Sequence, residues 1–375
     1  MKGRILVINT GSTSTKIGFY EDGQKSFEQN ITLDKAVLAK YSSVMDLDIE
    51  CRDAITEFLS SKSIPVDSID IVMARGGLIT PVVTGIYEVN KAMCDTLRTG
   101  RDGVHACNLS AIIAFDMAES INQIRSAKGD SRVCKAYIAD PPMADEMLPE
   151  LKLGGRPEFP RRTLFHALNS RAVVRRYAAS KGLTNKDVTV IVAHLGGGTS
   201  VSVHRHGLVI DTTDSLGGDG PITPERAGTV PAFPLVEMCF SGKYTKEQIK
   251  KMLVGEGGAM AYFRTKDFRE IASRAAGGDS QASLFLRGYC ASVAKYIGYF
   301  STDVSGKVDA IILTGGIANN KDITDEIASR VGFIAPVVIY PGENELASLA
   351  ENGYGILSGE FRVRQYDPDR ILDED

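Results

Sequence analysis

The chain has 375 residues, is 43% hydrophobic and 24% charged, and carries a formal net charge of -4. That length suits about two domains, each able to bury a core, in an ordinary soluble composition. The weak negative charge, without a like-charge block of five, argues against nucleic-acid and anionic-membrane partners. The six cysteines (Cys51, Cys94, Cys107, Cys134, Cys239, Cys290) are scattered without a C-x-x-C pair. Zinc and thioredoxin-like chemistry therefore lack support, and core thiols in a reducing compartment are the expectation. No apolar run approaches the roughly 18 residues of a membrane span, and the one after Met1-Lys2-Gly3-Arg4 is too short for a signal peptide. A cytoplasmic protein is expected.

In chain order, residues 5–8 read as a buried strand that opens a strand, Gly/Ser turn, strand plan over residues 5–20. Residues 48–59 carry a helical stripe of Ile49, Ala54, Ile55, Phe58 and Leu59. Strands follow at 69–73, running out at Arg75-Gly76-Gly77, and at 136–138, just before Asp140-Pro141-Pro142. Residues 190–204 repeat the opening plan about 185 positions later. Two similar domains facing a cleft would account for the echo, although Gly-rich hairpin turns are also common in their own right. Residues 214–228 form a long Gly-, Pro- and Asp-rich loop, a type more often functional than not. A helix is expected over 281–300, with Leu284, Phe285, Tyr289, Val293, Tyr296, Ile297 and Phe300 on its stripe, and strands at 310–313 and 337–340. Strands alternating with helices indicate an α/β architecture.

Several short stretches can carry chemistry. Asn9, Gly11, Ser12, Thr13, Ser14, Thr15 and Lys16 place backbone N–H groups, hydroxyls and an ammonium in one turn, and glycine lets a phosphate approach the backbone. His194-Leu195-Gly196-Gly197-Gly198-Thr199-Ser200 offers similar donors with less charge. Either turn alone is also what a tight hairpin needs, and no G-x-x-x-x-G-K-[ST] P-loop is present. Thr314 to Asn320 leads from a strand into a helix past paired glycines, which suits a base or a phosphate or a plain N-cap at Asn319. Arg75 at a strand end can grip a carboxylate or phosphoryl group in bidentate fashion or lie on the surface. Asp140, braced by two prolines, suits Mg²⁺ or a nucleophile or a simple turn. His166 can donate to a transferring phosphoryl group, and His105 can line a small pocket. Both also fit as satisfied structural histidines. His204 and His206 are expected on an exposed hairpin face.

Taken together, Asn9-x-Gly-Ser-x-Ser-x-Lys16, Arg75, Asp140, Phe165-His166, His194-Leu-Gly-x-Gly198, Asp267-Phe-Arg269 and Gly315-Gly-Ile317 run in the order seen in the acetate kinase family. His-Leu-Gly-Gly-Gly, Ala-Arg-Gly-Gly-Leu and Asp-Gly-Pro-Ile-Thr-Pro-Glu-Arg-Ala-Gly resemble its butyrate kinase branch. The resemblance implies an actin-like (ribonuclease H-like) ATPase fold of two duplicated domains around a cleft, residues 1–147 with 346–375 and residues 148–345. It implies reversible transfer from ATP to a short-chain fatty acid carboxylate, giving ADP and an acyl phosphate, with Mg²⁺ and a homodimer or higher homo-oligomer.

By position, Ser12, Ser14 and Lys16 would sit at the phosphates, and Asn9, Asp140 and Glu343 or Glu345 at the metal. Arg75 would hold the acid, with Gly77, His105 and Phe165 around it, and His166 would stabilise transferring charge. His194, Gly196, Gly197 and Gly198 would touch the nucleotide phosphates. Asp267, Phe268 and Arg269 would hold the ribose and adenine, with Gly316, Ile317 and Asn320 behind the base. The sequence departs from acetate kinases in two places. Their second active-site arginine is missing from the aligned stretch 217–224, and Arg226 is the nearest substitute. Their valine two residues after the first arginine is Gly77 here. If Gly77 lines the pocket, it leaves room for two more methylenes, each worth about 0.8 kcal/mol. The alternatives are an acetate or propionate kinase, or a non-kinase actin-like ATPase.

Overall fold

Uninterrupted apolar strands need cover on both faces, and both sheets of this protein have it. The computed structural model describes residues 2–11, 14–34, 40–41 and 43–369. Two compact units emerge, Met1–Ala144 with Asn344–Asp375, and Asp145–Glu343.

The first unit holds strands β1 (Arg4–Thr10), β2 (Ser14–Glu21), β3 (Gln24–Thr32), β4 (Ile71–Arg75), β5 (Ile86–Glu88), β6 (Lys135–Ala139) and, after the second unit's five, β12 (Val363–Gln365). They form one sheet ordered β12-β5-β6-β4-β1-β2-β3. Its helices are α1 (Asp48–Ser61), α2 (Lys91–Thr99), α3 (Asn108–Ala127) and the chain's last helix, α11 (Glu345–Leu357). Strand residues alternate between two layers. Leu6, Ile8, Val72, Ala74, Ala136 and Ile138 join one core with α1 and α3. Ile5, Ile71 and Met73 face α11 instead, where Gly353 lets the helix settle, since a Cβ there would lie 2.8 Å from Ile5 Cδ1.

The second unit repeats this plan with β7 (Thr189–Leu195), β8 (Thr199–Arg205), β9 (Leu208–Thr212), β10 (Ala310–Gly315) and β11 (Val337–Pro341), ordered β11-β10-β7-β8-β9. In each unit an antiparallel hairpin is followed by two parallel strands added on the far side of its first strand. Asn9 pairs with Lys16 in one hairpin and His194 with Ser200 in the other, each one pair before its turn, the second turn being one residue shorter. The echo in the sequence is therefore a structural duplication. Around this sheet lie α4 (Ala167–Ser180), α5 (Ala232–Phe240), α6 (Lys246–Leu253), α7 (Ala259–Phe263), α8 (Phe268–Ala276), α9 (Ser280–Ser301) and α10 (Lys321–Val331). Ile191, Ala193, Ile311 and Leu313 pack with α9 and α10, while Val190, Val192, Ala310 and Ile312 pack on α4.

Three local expectations need correcting. Ile49 and Leu284, placed on buried stripes, are 55% and 63% exposed; an apolar stripe read at helical spacing is wider than the strip its neighbours cover. His204 is buried beside Ser202 Oγ at 2.9 Å rather than exposed. Burial drives its pKa down to about 3, so it is a neutral core group. Only His206, at a turn with φ of 53°, is exposed.

Candidate active site

In the first unit, β1 ends in the turn that β2 closes, Gly11 N–H donating to Ser14 O at 2.8 Å. The register sets exposed Lys16 directly across from Asn9. Asn9 is buried, and its Nδ2 donates to Glu345 Oε2 at 2.6 Å. The same oxygen lies 3.4 Å from Arg75 Nη1. Asn9, Arg75 and Glu345 thus meet where β1 and β4 end and α11 begins. A carboxylate in a helix's first turn is favoured by the helix dipole. Asp140 follows β6 with φ of 42°, a conformation costly for a side-chain-bearing residue, held by its N–H bonded to Gly85 O at 2.8 Å. Gly76 lets the end of β4 lie against Pro141, which a Cβ would approach to 2.7 Å.

Gly77 does not open a pocket in the manner expected. A Cβ there would lie 2.6 Å from Leu97 Cδ2 and 2.8 Å from Asn108 Cα. The volume of the missing isopropyl group is taken up by α2 and α3, so Gly77 serves packing. Exposed His105 places Nδ1 3.0 Å from Cys107 Sγ. Burial raises the Cys107 thiol to about 11, so it is not a nucleophile near neutrality. Ser12 lies outside the described residues.

In the second unit, the turn joining β7 and β8 and the residues after β10 form the wall of a cleft of about 950 Å³. Gly196, Gly197, Asp267, Phe268, Arg269, Gly316, Ile317, Asn320 and Glu343 all line it. Such a volume lies at the upper end of ordinary small-molecule sites. Gly315 makes the crossing possible: its φ is 88°, and a Cβ would sit 2.4 Å from Leu195 O. Asp267 caps α8 and is clamped by Arg269, which holds its carboxyl down at about 2. Phe268 is 6% exposed and stacks edge-on with Tyr289, so it forms the floor rather than a free face. Asn320, not Asn319, is the cap of α10; Asn319 instead donates to Gly316 O within the turn.

His166 and His194 lie face to face, ring centroids 3.8 Å apart at 5°. His166 Nδ1 is 2.8 Å from Ser200 Oγ, and fully buried His194 has Nδ1 2.8 Å from Asn169 Nδ2 and Nε2 3.0 Å from Glu343 Oε1. Arg226 joins this group. A Cβ on Gly198 would lie 2.5 Å from Arg226 Nη1 and 3.2 Å from His166 Cε1. Nη1 donates to Ser215 O at 3.0 Å, while buried Nε has no partner. Burial lowers the pKa of Arg226, offset by Glu225 and Asp214. The loop over residues 214–228 therefore delivers a cation to the glycine turn. Phe165, by contrast, is 2% exposed and offers a ligand no open face. Sequence reasoning missed Asn169, Lys266 and Ser273. Only Asn169 had a signal, standing three positions after His166 on the same helical face. A second cleft of about 820 Å³, beside Arg161, Arg162 and Tyr299, contains none of the expected residues.

Glu343 and Glu345, alternatives for one metal role, are separated: Glu345 belongs with Asn9 and Arg75, Glu343 with His194. Among the described residues, no three His, Cys, Asp or Glu side chains gather as a metal site. That is compatible with Mg²⁺, which takes one or two carboxylates and otherwise binds water and substrate phosphates.

A duplicated sheet of this order, with a glycine-walled cleft in the second unit, defines the class as the actin-like ATPase fold. Solved structures share it: an acetate kinase of Porphyromonas gingivalis (17% identity, TM-score 0.74, covering 95% of this chain and 100% of that one) and a propionate kinase of Francisella tularensis (19%, 0.70, 94% and 99%). The Acetokinase family profile matches residues 158–351, more than half of the chain. Butyrate kinase 1 of Clostridium acetobutylicum is 44% identical over 363 residues, covering 97% of this chain and 99% of the relative, and butyrate kinase 2 of that organism is 42% identical over 366, covering 98% and 100%. The chain belongs to the Acetokinase family, and is by class a carboxylate phosphotransferase.

Proposed function

We propose that the protein transfers the γ-phosphoryl group of ATP to the carboxylate of a short-chain fatty acid, butyrate or a branched analogue, giving ADP and an acyl phosphate, and that it runs in both directions. The observation that carries this reading is the convergence of Arg226, His166 and Gly198 beside a cleft of nucleotide size, in a chain whose relatives are named butyrate kinases. An acid of this type is ionised near neutrality, so it needs no general base. Catalysis then rests on positioning and charge stabilisation. Arg75 holds the attacking carboxylate. Arg226 and His166 donate to the transferring phosphoryl oxygens, and the backbone of Gly196 to Gly198 receives the nucleotide phosphates. Asp267, Arg269, Gly316, Ile317 and Asn320 border the nucleoside, while Ser12, Ser14 and Lys16 serve the phosphates from the first unit. Asn9, Asp140 and Glu345 supply oxygen ligands for Mg²⁺, which neutralises phosphate charge when bound.

The same reading makes the protein a cytoplasmic homodimer or higher homo-oligomer. In its support, α5 presents Phe233 and Phe240 at 85% and 87% exposure, a cost that a second copy would remove. The cysteines of the described residues are free, five of them buried, which suits a reducing compartment. No helix of the described residues is long and apolar enough to cross a membrane.

The test is acyl-phosphate formation, trapped with hydroxylamine, across acetate, propionate, butyrate, isobutyrate and isovalerate. A maximum at four or five carbons is expected. A maximum at acetate would replace the substrate, and acid-independent ATP hydrolysis alone would replace the reaction.

A further inference from the structure

The hydrogen bonds around His194 can be assigned a direction from their ends. Thr314 Oγ1 lies 3.3 Å from Gly342 O, a carbonyl that can only accept, so the hydroxyl proton goes there. Oγ1 is left as an acceptor for the Asn169 amide at 3.2 Å, which makes the group facing it the NH₂. The same NH₂ faces His194 Nδ1 at 2.8 Å, so that ring nitrogen accepts. The ring's proton therefore sits on Nε2. At the opposite end Nε2 lies 3.0 Å from Glu343 Oε1, near the carboxylate but out of line for a hydrogen bond. Gly196 closes over this pair, since a Cβ there would lie 2.8 Å from Nε2 and 3.0 Å from Oε1. The donor–acceptor chain thus runs from Gly342 through Thr314 and Asn169 to His194 Nδ1.

We propose that Asn169 is a positioning residue for phosphoryl transfer: it fixes His194 as the Nε2–H tautomer, which leaves a proton-bearing Nε2 beside the Glu343 carboxylate at the cleft rim, and it steadies the flat surface against which His166 lies. The proposal rests on the functional reading above. Asn169 touches neither the cleft nor a reacting atom. Its influence passes through a ring that is 0% exposed and whose only freedom is rotation about its side-chain bonds. Turning that ring would reverse its donor and acceptor, put a bare nitrogen beside the Glu343 carboxylate and displace the support of His166.

The first experiment needs no variant. Long-range ¹H–¹⁵N correlation on histidine-labelled wild-type protein, with the His194 signal assigned by its loss in His194→Gln, reports which nitrogen carries the proton. Protonated Nε2 and bare Nδ1 are expected. A proton on Nδ1 overturns the proposal, whatever the catalytic data. The second experiment uses Asn169→Asp, an isosteric change that leaves acceptors only and so calls for a proton on Nδ1. In that variant the His194 signals should move to the Nδ1–H or doubly protonated pattern. Outer-sphere partners of this kind typically change activity by roughly 10- to 100-fold, so kcat should fall by about that factor with the KM for the acid within about twofold of wild type. Asn169→Ala, which removes the donor without supplying an acceptor, should show a smaller loss. An Asn169→Asp protein with wild-type kcat, or with an unmoved tautomer pattern and reduced kcat, sinks the positioning role. Wild-type protein that makes no acyl phosphate from any acid sinks the functional reading instead, while the tautomer result still stands or falls by itself.

Discussion

Replacing Arg226 by alanine separates catalysis from stability in a way few buried arginines allow. Its guanidinium makes one hydrogen bond, to Ser215 O, leaves Nε unpartnered, and among the described residues has no carboxylate within ion-pair distance. A partly buried cation without a counter-ion is costly to the folded state. Removing it relieves that cost and forfeits a charge-assisted bond worth about 1.5–3 kcal/mol at most, so the two nearly cancel. The folded protein should change by less than about 1 kcal/mol, read from urea midpoints at constant slope. Catalysis should suffer far more. One donor aimed at developing negative charge is typically worth about 10²–10³ in kcat, or roughly 2.7–4 kcal/mol. The hydroxylamine assay should therefore show kcat reduced by that factor, with nucleotide affinity changed much less. Wild-type turnover in Arg226→Ala, or a stability loss above about 2 kcal/mol, would refute the assignment and make Arg226 a strut of its loop.

Glu345→Gln removes the charge shared by Asn9 and Arg75, and should raise the Mg²⁺ concentration needed for half-maximal activity by roughly tenfold or more, measured by metal titration at fixed ATP. Gly315→Ala forces a side chain into a φ of 88° and against Leu195 O; the loss should be about 3 kcal/mol or more, visible as a lowered urea midpoint. Asp303 is held up at about 7, by burial first and then by neighbouring Asp211. Its folded pKa exceeds the unfolded one, so its contribution is fullest below about pH 4 and is lost as pH rises to 7. Asp303→Asn should therefore stabilise the protein at pH 8 relative to wild type and flatten stability between pH 4 and 7. A charge at Phe233, as in Phe233→Asp, should reduce the mass seen by light scattering to that of one chain.

The duplicated fold was legible because both sheets are covered on two faces, so their strands read as unbroken apolar runs such as Ile5 to Ile8 and Val190 to Ala193. Short three-residue strands such as β5 and the edge strand β12 carry no such run and escaped notice. The glycine turns were legible through motif order, and all nine residues that line the cleft among those expected there are residues of such motifs or stand beside the last strand. What spacing did not convey was volume. Gly77 reads as a missing side chain, yet Leu97 and Asn108, 20 and 31 positions away, fill the gap. Asn169 was passed over for a related reason, despite its spacing from His166: an asparagine on a helix looks like surface until the strands bearing His194 and Thr314 are folded against it.

The first unit is interrupted by the second: the chain leaves it at Ala144 and returns at Asn344. Helix α11, which covers Ile5, Ile71 and Met73 and brings Glu345, is therefore made only after the whole second unit. At about 5–20 residues per second, the 199 residues of the second unit take roughly 10–40 s to make. Throughout that interval one apolar face of the first sheet stands open. A ribosome-bound chain ending before residue 344 should thus be cleaved by a protease within β1 to β4 and be held by hydrophobic-binding chaperones, whereas one whose residues up to 357 have left the ribosome should resist both. Biogenesis of this enzyme is paced by its own insertion, and Asn9 and Arg75 gain Glu345 only after the second unit has been made.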